Sequence, residues 1–332
     1  MKAAFITRYG GPEVLQIGEQ PRPQVGPYDL LVQVKAASVN PVDFKTRAGG
    51  LKTVIAYSFP LVLGGDVSGV VVETGAKVSR FKAGDGIFAR VDKLRIGTFA
   101  EYAAVRESDA AAKPDNLSHA EAASIPLVGL TSWQALRDLA GLKPGQKILI
   151  HAGSGGIGTF AIQLAKHIGA TVATTVGARN ADLVKRLGAD IVIDYATQRF
   201  EDVAGDCDVV FDTLGGDIQR RSFAVLRPGG TLVTIAGIPT AKVMREWELP
   251  VWVQWFAAAA NFRSSRLARS RKVRFEYLFM QSSGAQLGAI AAMLKSGVIV
   301  PVVDKIFSLD QAREALARCE SGHAVGKVII QP

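Results

Sequence analysis

A glycine-rich loop is the part of this 332-residue chain whose residue types and spacing point most directly to chemistry. Gly153, Gly155 and Gly158 form a G-x-G-x-x-G pattern between an apolar predicted strand and an amphipathic predicted helix. Gly153 would permit a tight turn, Gly155 would let the backbone approach a pyrophosphate, and Gly158 would let the helix pack on the strand. The alternative is a tight strand-to-helix connection without a ligand. The predicted dinucleotide contacts of the loop are Gly153, Ser154, Gly155, Gly156, Ile157 and Gly158.

Two side chains downstream of the loop indicate whether the dinucleotide carries a 2′-phosphate. An Asp or Glu about 20 residues after the loop would hold a free ribose 2′-hydroxyl, but the second predicted strand ends in TTVGARN. Arg179 stands there instead, where a 2′-phosphate would lie, and Tyr195 could add a hydroxyl to that phosphate. The pattern therefore predicts NADPH. Alternatively, Arg179 only solvates the start of a helix that Asn180 caps.

The elements that must position these residues follow two patterns. Residues 1–125 read as short strands broken by turns, among them 31–36, 69–73 and 86–89. From about residue 130, strands alternate with helices, which predicts an α/β fold with a doubly wound parallel sheet. The predicted strands of that sheet are 147–151, 171–175, 191–194, 208–212 and 231–236, and its helices are 157–168, 181–187 and 218–226.

The length of the chain predicts two domains. We expect residues 126–280 to form the dinucleotide-binding domain, and residues 1–125 to be joined by the tail, 281–332. The tail is predicted to contain helices at 287–294 and 309–320 and strands at 298–303 and 327–330. In the second domain, a turn is predicted at 228–230.

Composition excludes several classes of protein. With 48% hydrophobic and 21% charged residues, the chain has a soluble, globular composition rather than a disordered or fibrous one. Its two cysteines, Cys207 and Cys319, lack the spacing of a zinc site or disulfide framework. The most apolar run, 249–260, is too short to cross a membrane, and the start of the chain lacks the features of a secretory signal. We therefore expect no metal, no membrane partner and a cytoplasmic location.

The formal net charge of +9 favours anionic partners and keeps a second class of function open. Residues 263–274 carry six basic side chains and no acidic one, a possible footprint for a phosphate backbone. The rival hypothesis is a nucleic-acid-binding or structural protein that binds NADPH with little turnover. The lack of interleaved aromatic residues and the three-residue spacing of the first arginines instead favour a solvated helix face.

Several segments together resemble the medium-chain dehydrogenase/reductase superfamily. They are MKAAFITRYGGPEVL, AASVNPVDFKTRAG, GGDVSGVVVETG, VGLTSWQAL and SGHAVGKVII, besides the glycine loop. The resemblance is to the zinc-free quinone oxidoreductase and enone reductase branch, which includes zeta-crystallin. It implies a GroES-like, partly open β-barrel domain, a Rossmann domain and a substrate cleft between them. It also implies NADPH-dependent reduction of quinones or of activated C=C bonds.

The same resemblance implies the site residues of the first domain. Zinc-dependent relatives have a Cys where this chain has Asn40, and a His-Glu pair where it has Gly65 and Asp66, so catalysis without metal is expected. Asn40 is the leading candidate to donate a hydrogen bond to the substrate oxygen, with Lys45 and Tyr57 behind it. The alternatives are a turn residue before Pro41, an exposed charge and a surface aromatic residue.

The resemblance also predicts further cofactor contacts and a homodimer. Thr131 resembles a residue that touches the nicotinamide, although a buried packing threonine would look the same. The remaining predicted cofactor contacts are Leu214, Ala236, Gly237 and Lys327. A predicted strand at 273–279 corresponds to one that pairs across a two-fold axis in related reductases, which predicts a homodimer. Quinones, alkenals, enones and enoyl thioesters all fit as substrates.

Overall fold

The chain divides into two compact units. The computed structural model describes residues 1–53 and 55–332. The first unit contains Met1–Leu130 and Gln281–Pro332, and the second contains Thr131–Met280. Among the described residues, no helix has the length and apolar character needed to cross a membrane.

The first unit is built mainly from antiparallel strands. Its strands are β1 (Lys2–Ile6), β2 (Leu15–Glu19), β3 (Asp29–Val39), β4 (Leu61–Val62), β5 (Asp66–Thr74), β6 (Gly86–Arg90), β7 (Tyr102–Arg106), β8 (Ala110–Ala112), β15 (Val303–Ser308) and β16 (Lys327–Gln331). Its helices are α1 (Pro41–Arg47), α2 (His119–Ala123), α10 (Gly284–Lys295) and α11 (Ala312–Glu320), and α3 (Pro126–Trp133) leads into the second unit.

Two sheets enclose the core of the first unit. One has three strands in the order β2-β1-β4, and the other has seven, with the order β15-β16-β3-β5-β6-β8 and β7 paired on β3. Nine of the eleven residues of β3 are buried, and Leu30, Val32 and Val34 belong to the apolar cluster of this unit. The antiparallel register sets Ser38 on β3 opposite Asp66 on β5, so polar residues meet where these strands approach α1.

The second unit is a doubly wound α/β structure. Its strands are β9 (Lys147–Ile150), β10 (Thr171–Val176), β11 (Ile191–Asp194), β12 (Cys207–Asp212), β13 (Leu226–Thr234) and β14 (Arg274–Tyr277). Its helices are α4 (Gly156–Ile168), α5 (Ala181–Arg186), α6 (Gly216–Ser222), α7 (Ala241–Glu246), α8 (Val251–Ala260) and α9 (Phe262–Ser270). All strands are parallel, in the order β11-β10-β9-β12-β13-β14. This is the Rossmann order, and it confirms the predicted fold class.

Several predicted elements differ from the structure. The helix predicted at 218–226 ends at Ser222, and the strand predicted at 231–236 starts at Leu226 and ends at Thr234. The strand predicted at 298–303 is wrong: β15 begins at Val303, because Pro301 has no N–H to donate to a strand ladder. The turn predicted at 228–230 lies inside β13, where the pairing with β12 shifts register. The helix predicted at 309–320 begins as a 3-10 turn, Leu309–Gln311, before α11.

Candidate functional site

The glycine loop lies between β9 and α4, and its glycines fit against neighbouring atoms. A Cβ on Gly158 would lie 2.3 Å from the carbonyl oxygen of Ala152, and one on Gly153 would lie 2.2 Å from Thr174 Oγ1. Only glycine allows such close approach of helix, loop and β10. The helix starts at Gly156, so its first N–H groups lie in the loop without intrahelical acceptors. The loop therefore fits a pyrophosphate group.

The carboxyl ends of β12 and β13 form a second part of this edge of the sheet. The buried Asp212 carboxylate accepts hydrogen bonds from the backbone N–H groups of Leu214 and Gly215, at 3.0 and 2.9 Å, and from Thr234 Oγ1 at 2.8 Å. A Cβ on Gly215 would lie 2.9 Å from the Cβ of Ala236, so the two strand ends are close neighbours. Leu214 is exposed there, and Gly237 has a positive φ of 82°.

Arg179 and Tyr195 follow neighbouring strands. Val176, the last residue of β10, is paired with Asp194, the last residue of β11. Tyr195 is 71% exposed, and its hydroxyl lies 3.2 Å from the position that a Cβ on Gly177 would take. Arg179 is also exposed, in a 3-10 turn after Gly177. Two polar groups that could bind a 2′-phosphate are thus available at adjacent strand ends.

Asn180 links this region to the glycine loop. Its side chain makes no capping hydrogen bond at the start of α5. Instead, Asn180 Nδ2 donates to Ser154 Oγ at 3.1 Å. Neither residue type nor spacing predicted this contact, because the two residues are 26 positions apart and meet only through the parallel sheet.

Thr131 is buried near the end of α3. The chain continues from this helix into a π-helical segment, Gln134–Leu139. Wide turns of this kind are frequent at functional sites, and the sequence pattern did not predict one. Burial agrees equally well with a packing role for Thr131 and with contact to a ligand at its hydroxyl.

A buried polar cluster occupies the first unit where β3, β5, β6 and β16 meet α1. We use that name for six residues: Ser38, Asn40, Asp43, Asp66, Arg90 and Lys327. Asn40 is the N-cap of α1, and its backbone N–H donates to the Asp43 carboxylate at 2.7 Å. Burial raises the pKa of Asp43 to about 6, opposed by the positive charge of Arg90. The local sequence Asn-Pro-x-Asp thus starts a helix as well as contributing to the cluster.

Asn40 uses both ends of its side-chain amide inside the cluster. Asn40 Nδ2 donates to Asp66 Oδ2 at 2.8 Å and to the carbonyl oxygen of Ser38 at 3.3 Å. Asn40 Oδ1 accepts from Lys327 Nζ. The residue is 1% exposed, so a substrate oxygen could reach Nδ2 only by sharing or replacing one of these bonds.

Lys327, predicted as a cofactor contact, lies with its ammonium group inside the polar cluster. Lys327 Nζ donates to the carbonyl oxygen of Val39 at 2.8 Å and lies 3.8 Å from Asp66 Oδ2. Burial lowers the pKa of Lys327, and the negative charge of Asp66 opposes that shift. The structure thus places a buried lysine Nζ beside Asn40.

The residues at the position of the relatives' zinc do not fit zinc. Asp66 Oδ2 also accepts from Ser38 Oγ at 2.8 Å, and Asp66 Oδ1 accepts from the Leu127 N–H at 3.1 Å and from Arg90 Nη1 at 3.4 Å. A Cβ on Gly65 would lie 2.2 Å from Arg90 Nη1. Among residues 1–53 and 55–332, no group of three His, Cys, Asp or Glu side chains could hold a metal ion. Arg90 was missed by the sequence analysis.

The two weaker catalytic candidates lie in different surroundings. Lys45 is exposed on α1. Tyr57 is half-buried, and its hydroxyl donates to the carbonyl oxygen of Lys93 at 2.6 Å. Burial raises the pKa of Tyr57 to about 12, so the phenol keeps its proton at neutral pH. Among the residues that the structure describes, neither Lys45 nor Tyr57 is hydrogen-bonded to Asn40.

The chain belongs to the medium-chain dehydrogenase/reductase superfamily, which confirms the resemblance. Residues 26–115 match the family model for an alcohol dehydrogenase GroES-like domain, and residues 187–330 match the model for a zinc-binding dehydrogenase. The first match identifies the strand-rich unit as GroES-like, as predicted.

Particular relatives extend over the whole chain. It is 35% identical to the 2-methylene-furan-3-one reductase of Solanum lycopersicum, over 100% of this chain and 79% of the relative. It is 34% identical to the chloroplastic NADPH-dependent alkenal/one oxidoreductase of Arabidopsis thaliana, over 100% of this chain and 80% of the relative. Among solved structures, the quinone oxidoreductase from Coxiella burnetii superposes with a TM-score of 0.86 at 32% identity, covering 100% of this chain and 99% of that one.

Proposed function

We propose that this chain is an NADPH-dependent oxidoreductase that reduces quinones or the activated C=C bond of α,β-unsaturated carbonyl compounds. The observation that carries the proposal is the glycine loop at the start of α4, where Gly153 and Gly158 leave no room for a side chain, with Arg179 and Tyr195 exposed at the neighbouring strand ends. The names of the tomato and Arabidopsis relatives support a reductase of this kind, and the second relative's name supports NADPH.

NADPH, when bound, supplies a hydride to the substrate. The loop N–H groups and the positive end of α4 would hold its pyrophosphate, and Arg179 and Tyr195 would bind its 2′-phosphate. Thr131 remains the proposed contact of the nicotinamide, and Leu214, Ala236 and Gly237 remain proposed contacts of the cofactor. Lys327 is retained as a proposed contact, although its ammonium is engaged with Asn40 and Val39.

Hydride addition to the β-carbon moves negative charge onto the carbonyl oxygen, and a proton from water or a nearby hydroxyl then completes the reduction. A donor near that oxygen stabilises the charge. We propose Asn40 Nδ2 for this role, because its bond to Ser38 is long, at 3.3 Å, and can be exchanged for one to the substrate. Lys45 and Tyr57 remain weaker candidates.

We propose that this chemistry needs no metal. Lys327 and Arg90 supply positive charge to Asp66 and Asn40, and the oxygens of Asp66 are already occupied by protein donors. A neutral amide stabilises developing charge less than a metal does, so simple alcohols and unactivated ketones should be poor substrates. Loss of activity together with stoichiometric zinc on chelation would contradict the proposal.

The reaction is tested with NADPH carrying deuterium at the transferred position. The protein is first screened for NADPH oxidation with a quinone, an alkenal, an enone and an enoyl thioester. For the enone, we expect the label at the β-carbon of the product. Label on the carbinol carbon would instead identify a carbonyl reductase, and no oxidation with any of the four classes would refute the proposed activity.

The role of Asn40 is tested by Asn40→Ala. Loss of a donor used in the transition state should lower kcat by about tenfold or more and leave the Kd for NADPH nearly unchanged. Asn116→Ala is a matched control, because Asn116 makes one side-chain bond to a backbone carbonyl, that of Leu294. An unchanged kcat would exclude Asn40 as the donor.

We also propose a homodimer and a cytoplasmic location. The homodimer is supported by β14, which pairs with β13 on one side and forms an edge of the six-stranded sheet. An exposed strand edge favours pairing with another strand, and a two-fold axis would provide one. Some relatives are named as mitochondrial or chloroplastic proteins, so cell fractionation is the test of location.

A further inference from the structure

Helix α8 presents its large apolar side chains to solvent. Val251 is 65% exposed, Trp252 74%, Trp255 75% and Phe256 61%. These positions follow the spacing i, i+1, i+4 and i+5, which puts them on one face of a helix. Ala257, on the opposite face, is buried. The helix therefore packs through Ala257, with Val253 and Gln254 half-buried, and exposes its aromatic residues, the reverse of an ordinary surface helix.

The next helix, α9, adds a strongly basic surface. Only Asn261 separates it from α8, and its first residue, Phe262, is 55% exposed. Its buried residues are Ser264 and Ala268, and its exposed basic residues are Arg263, Arg266 and Arg269. Two more exposed basic residues, Arg271 and Lys272, follow directly after the helix. No Asp or Glu occurs from residue 249 to residue 275. In the described part of the chain, none of these five basic residues forms a salt bridge with an acidic group.

We propose that α8 and α9 bind the surface of an anionic phospholipid bilayer. Tryptophan and phenylalanine favour the boundary between headgroups and acyl chains, and arginine and lysine are attracted to anionic headgroups. A ten-residue helix is about 15 Å long, so α8 would lie in this boundary rather than cross the bilayer. The sequence expectation of no membrane partner rested on the lack of a spanning segment, and surface binding requires none.

Two other occupants fit the surface less well. A second copy of the chain would bring two uniformly basic segments together across a two-fold axis, and such like charges repel. A nucleic acid would use the arginines, but it would leave the aliphatic and alanine-rich part of α8 exposed. The proposal rests on residues outside the proposed reaction site and does not depend on the proposed function.

The test is co-sedimentation of the full chain with two kinds of vesicle. We expect binding to vesicles of equimolar phosphatidylcholine and phosphatidylglycerol, at least about tenfold weaker binding to phosphatidylcholine alone, and weakening by salt. The variant Trp252→Ser/Trp255→Ser/Phe256→Ser should lose binding. Arg263→Gln/Arg266→Gln/Arg269→Gln should weaken it by about a hundredfold, because each basic residue near the surface contributes roughly 1 kcal/mol.

Two control variants remove the same types of side chain, positively charged and apolar, from the surface of the first unit. Lys35→Gln/Lys82→Gln/Lys295→Gln removes three exposed positive charges from the first unit, and Leu94→Ser removes an exposed apolar side chain. Both should bind anionic vesicles like the original protein. Equal weakening by the lysine control would show that only net charge matters and would overturn the assignment to α9.

A measurement on the unaltered protein guards against variants that fail to fold. Brominated phospholipid in anionic vesicles should quench its tryptophan fluorescence, because Trp252 and Trp255 would lie at acyl-chain depth. No quenching and no sedimentation would refute the proposal, whether or not the protein then binds single-stranded DNA. Light scattering without vesicles gives the last outcome. If the aromatic variant has a lower particle mass than the original protein, the surface binds a second copy of the chain, and the proposal is overturned.

Discussion

Asp66 is a fully buried carboxylate in the polar cluster of the first unit. Its two carboxylate oxygens accept hydrogen bonds from Ser38, Asn40, Arg90 and the N–H of Leu127, so its negative charge is compensated by protein donors alone. Burial of a charge is costly unless it is paired and hydrogen-bonded. The absence of a side chain at Gly65 leaves the volume that the Arg90 guanidinium occupies.

Gly65→Ala should displace this guanidinium. The added methyl would lie 2.2 Å from Arg90 Nη1, and Arg90 is too buried to move into solvent without unpairing Asp66. We expect a loss of about 3 kcal/mol in the free energy of unfolding, measured by urea titration. Gly288→Ala on α10 is the control, since a Cβ there meets nothing within 4 Å. Equal stability of both variants would contradict the packing argument.

Arg179→Ala tests the choice of dinucleotide. Removing a charge-assisted contact to the 2′-phosphate should cost about 1.5 to 3 kcal/mol, roughly ten- to more than a hundredfold in the Kd for NADPH, with little change for NADH. The Kd values are measured by fluorescence titration. Arg186→Ala, an exposed arginine at the end of α5, should leave both unchanged. Equal weakening of NADPH and NADH would refute the assignment.

His151 should make stability depend on pH. Ser222 Oγ donates to the Ile218 carbonyl and so accepts from His151 Nε2, and Thr175 Oγ1 lies 3.1 Å from Nδ1, an arrangement that suits the neutral ring. Burial lowers the pKa of His151 from 6.5 to about 4, opposed by the Asp212 charge. Between these values the unfolded chain binds the extra proton, so the free energy of unfolding falls as pH falls, by up to about 3 kcal/mol.

The pKa shift of Asp43 changes the free energy of unfolding in the opposite direction, so its contribution must be separated from that of His151. Its pKa is raised from 3.8 to about 6, so the folded chain binds the extra proton and stability rises as pH falls through that range. The measurement is therefore the difference in urea-unfolding free energy between the original protein and His151→Gln across pH 4 to 7. A difference that does not vary with pH would contradict a neutral buried His151.

At the scale of elements, the contact of α4 with β9 and β10 determines whether the dinucleotide site can form. Gly158→Ala would set a methyl 2.3 Å from the carbonyl oxygen of Ala152, which belongs to the backbone and cannot rotate away. We expect a loss of about 1 to 3 kcal/mol in stability and weaker binding of both NADPH and NADH. Gly205→Ala, in open space at a permissive φ, should change neither. Nucleotide titration and thermal unfolding are the two measurements.

At the scale of the whole molecule, the edge strand β14 predicts assembly. Light scattering at micromolar concentration should give twice the mass of the chain, because an unpaired sheet edge is a liability in a monomer. The mass should be insensitive to the α8 aromatic substitutions, since the proposed dimer uses β14 and the proposed lipid surface does not. A monomeric mass would refute the homodimer.

The sequence by itself determined the parts of this protein that depend on neighbouring residues. The glycine loop, the strand–helix alternation around it and the absence of an acid before Arg179 are all local patterns. They predicted the Rossmann sheet, which the structure confirms, and the residues of the nucleotide site, which stay a prediction. Hydrogen bonding along one helix and pairing along a βαβ unit depend on short stretches of chain, which is why their spacing can be interpreted directly. The error at 298–303 arose where a proline interrupts an apolar run.

Only the tertiary structure decided what surrounds Asn40 and which face of α8 is exposed. Lys327 reaches Asn40 across 287 positions, and Arg90 reaches Asp66 through the pairing of β5 with β6. An apolar run such as 249–260 predicts burial in most proteins, and its exposure here follows from the packing of α8 through Ala257. Burial and charge pairing are properties of contacts distant in sequence, so a linear pattern cannot supply them.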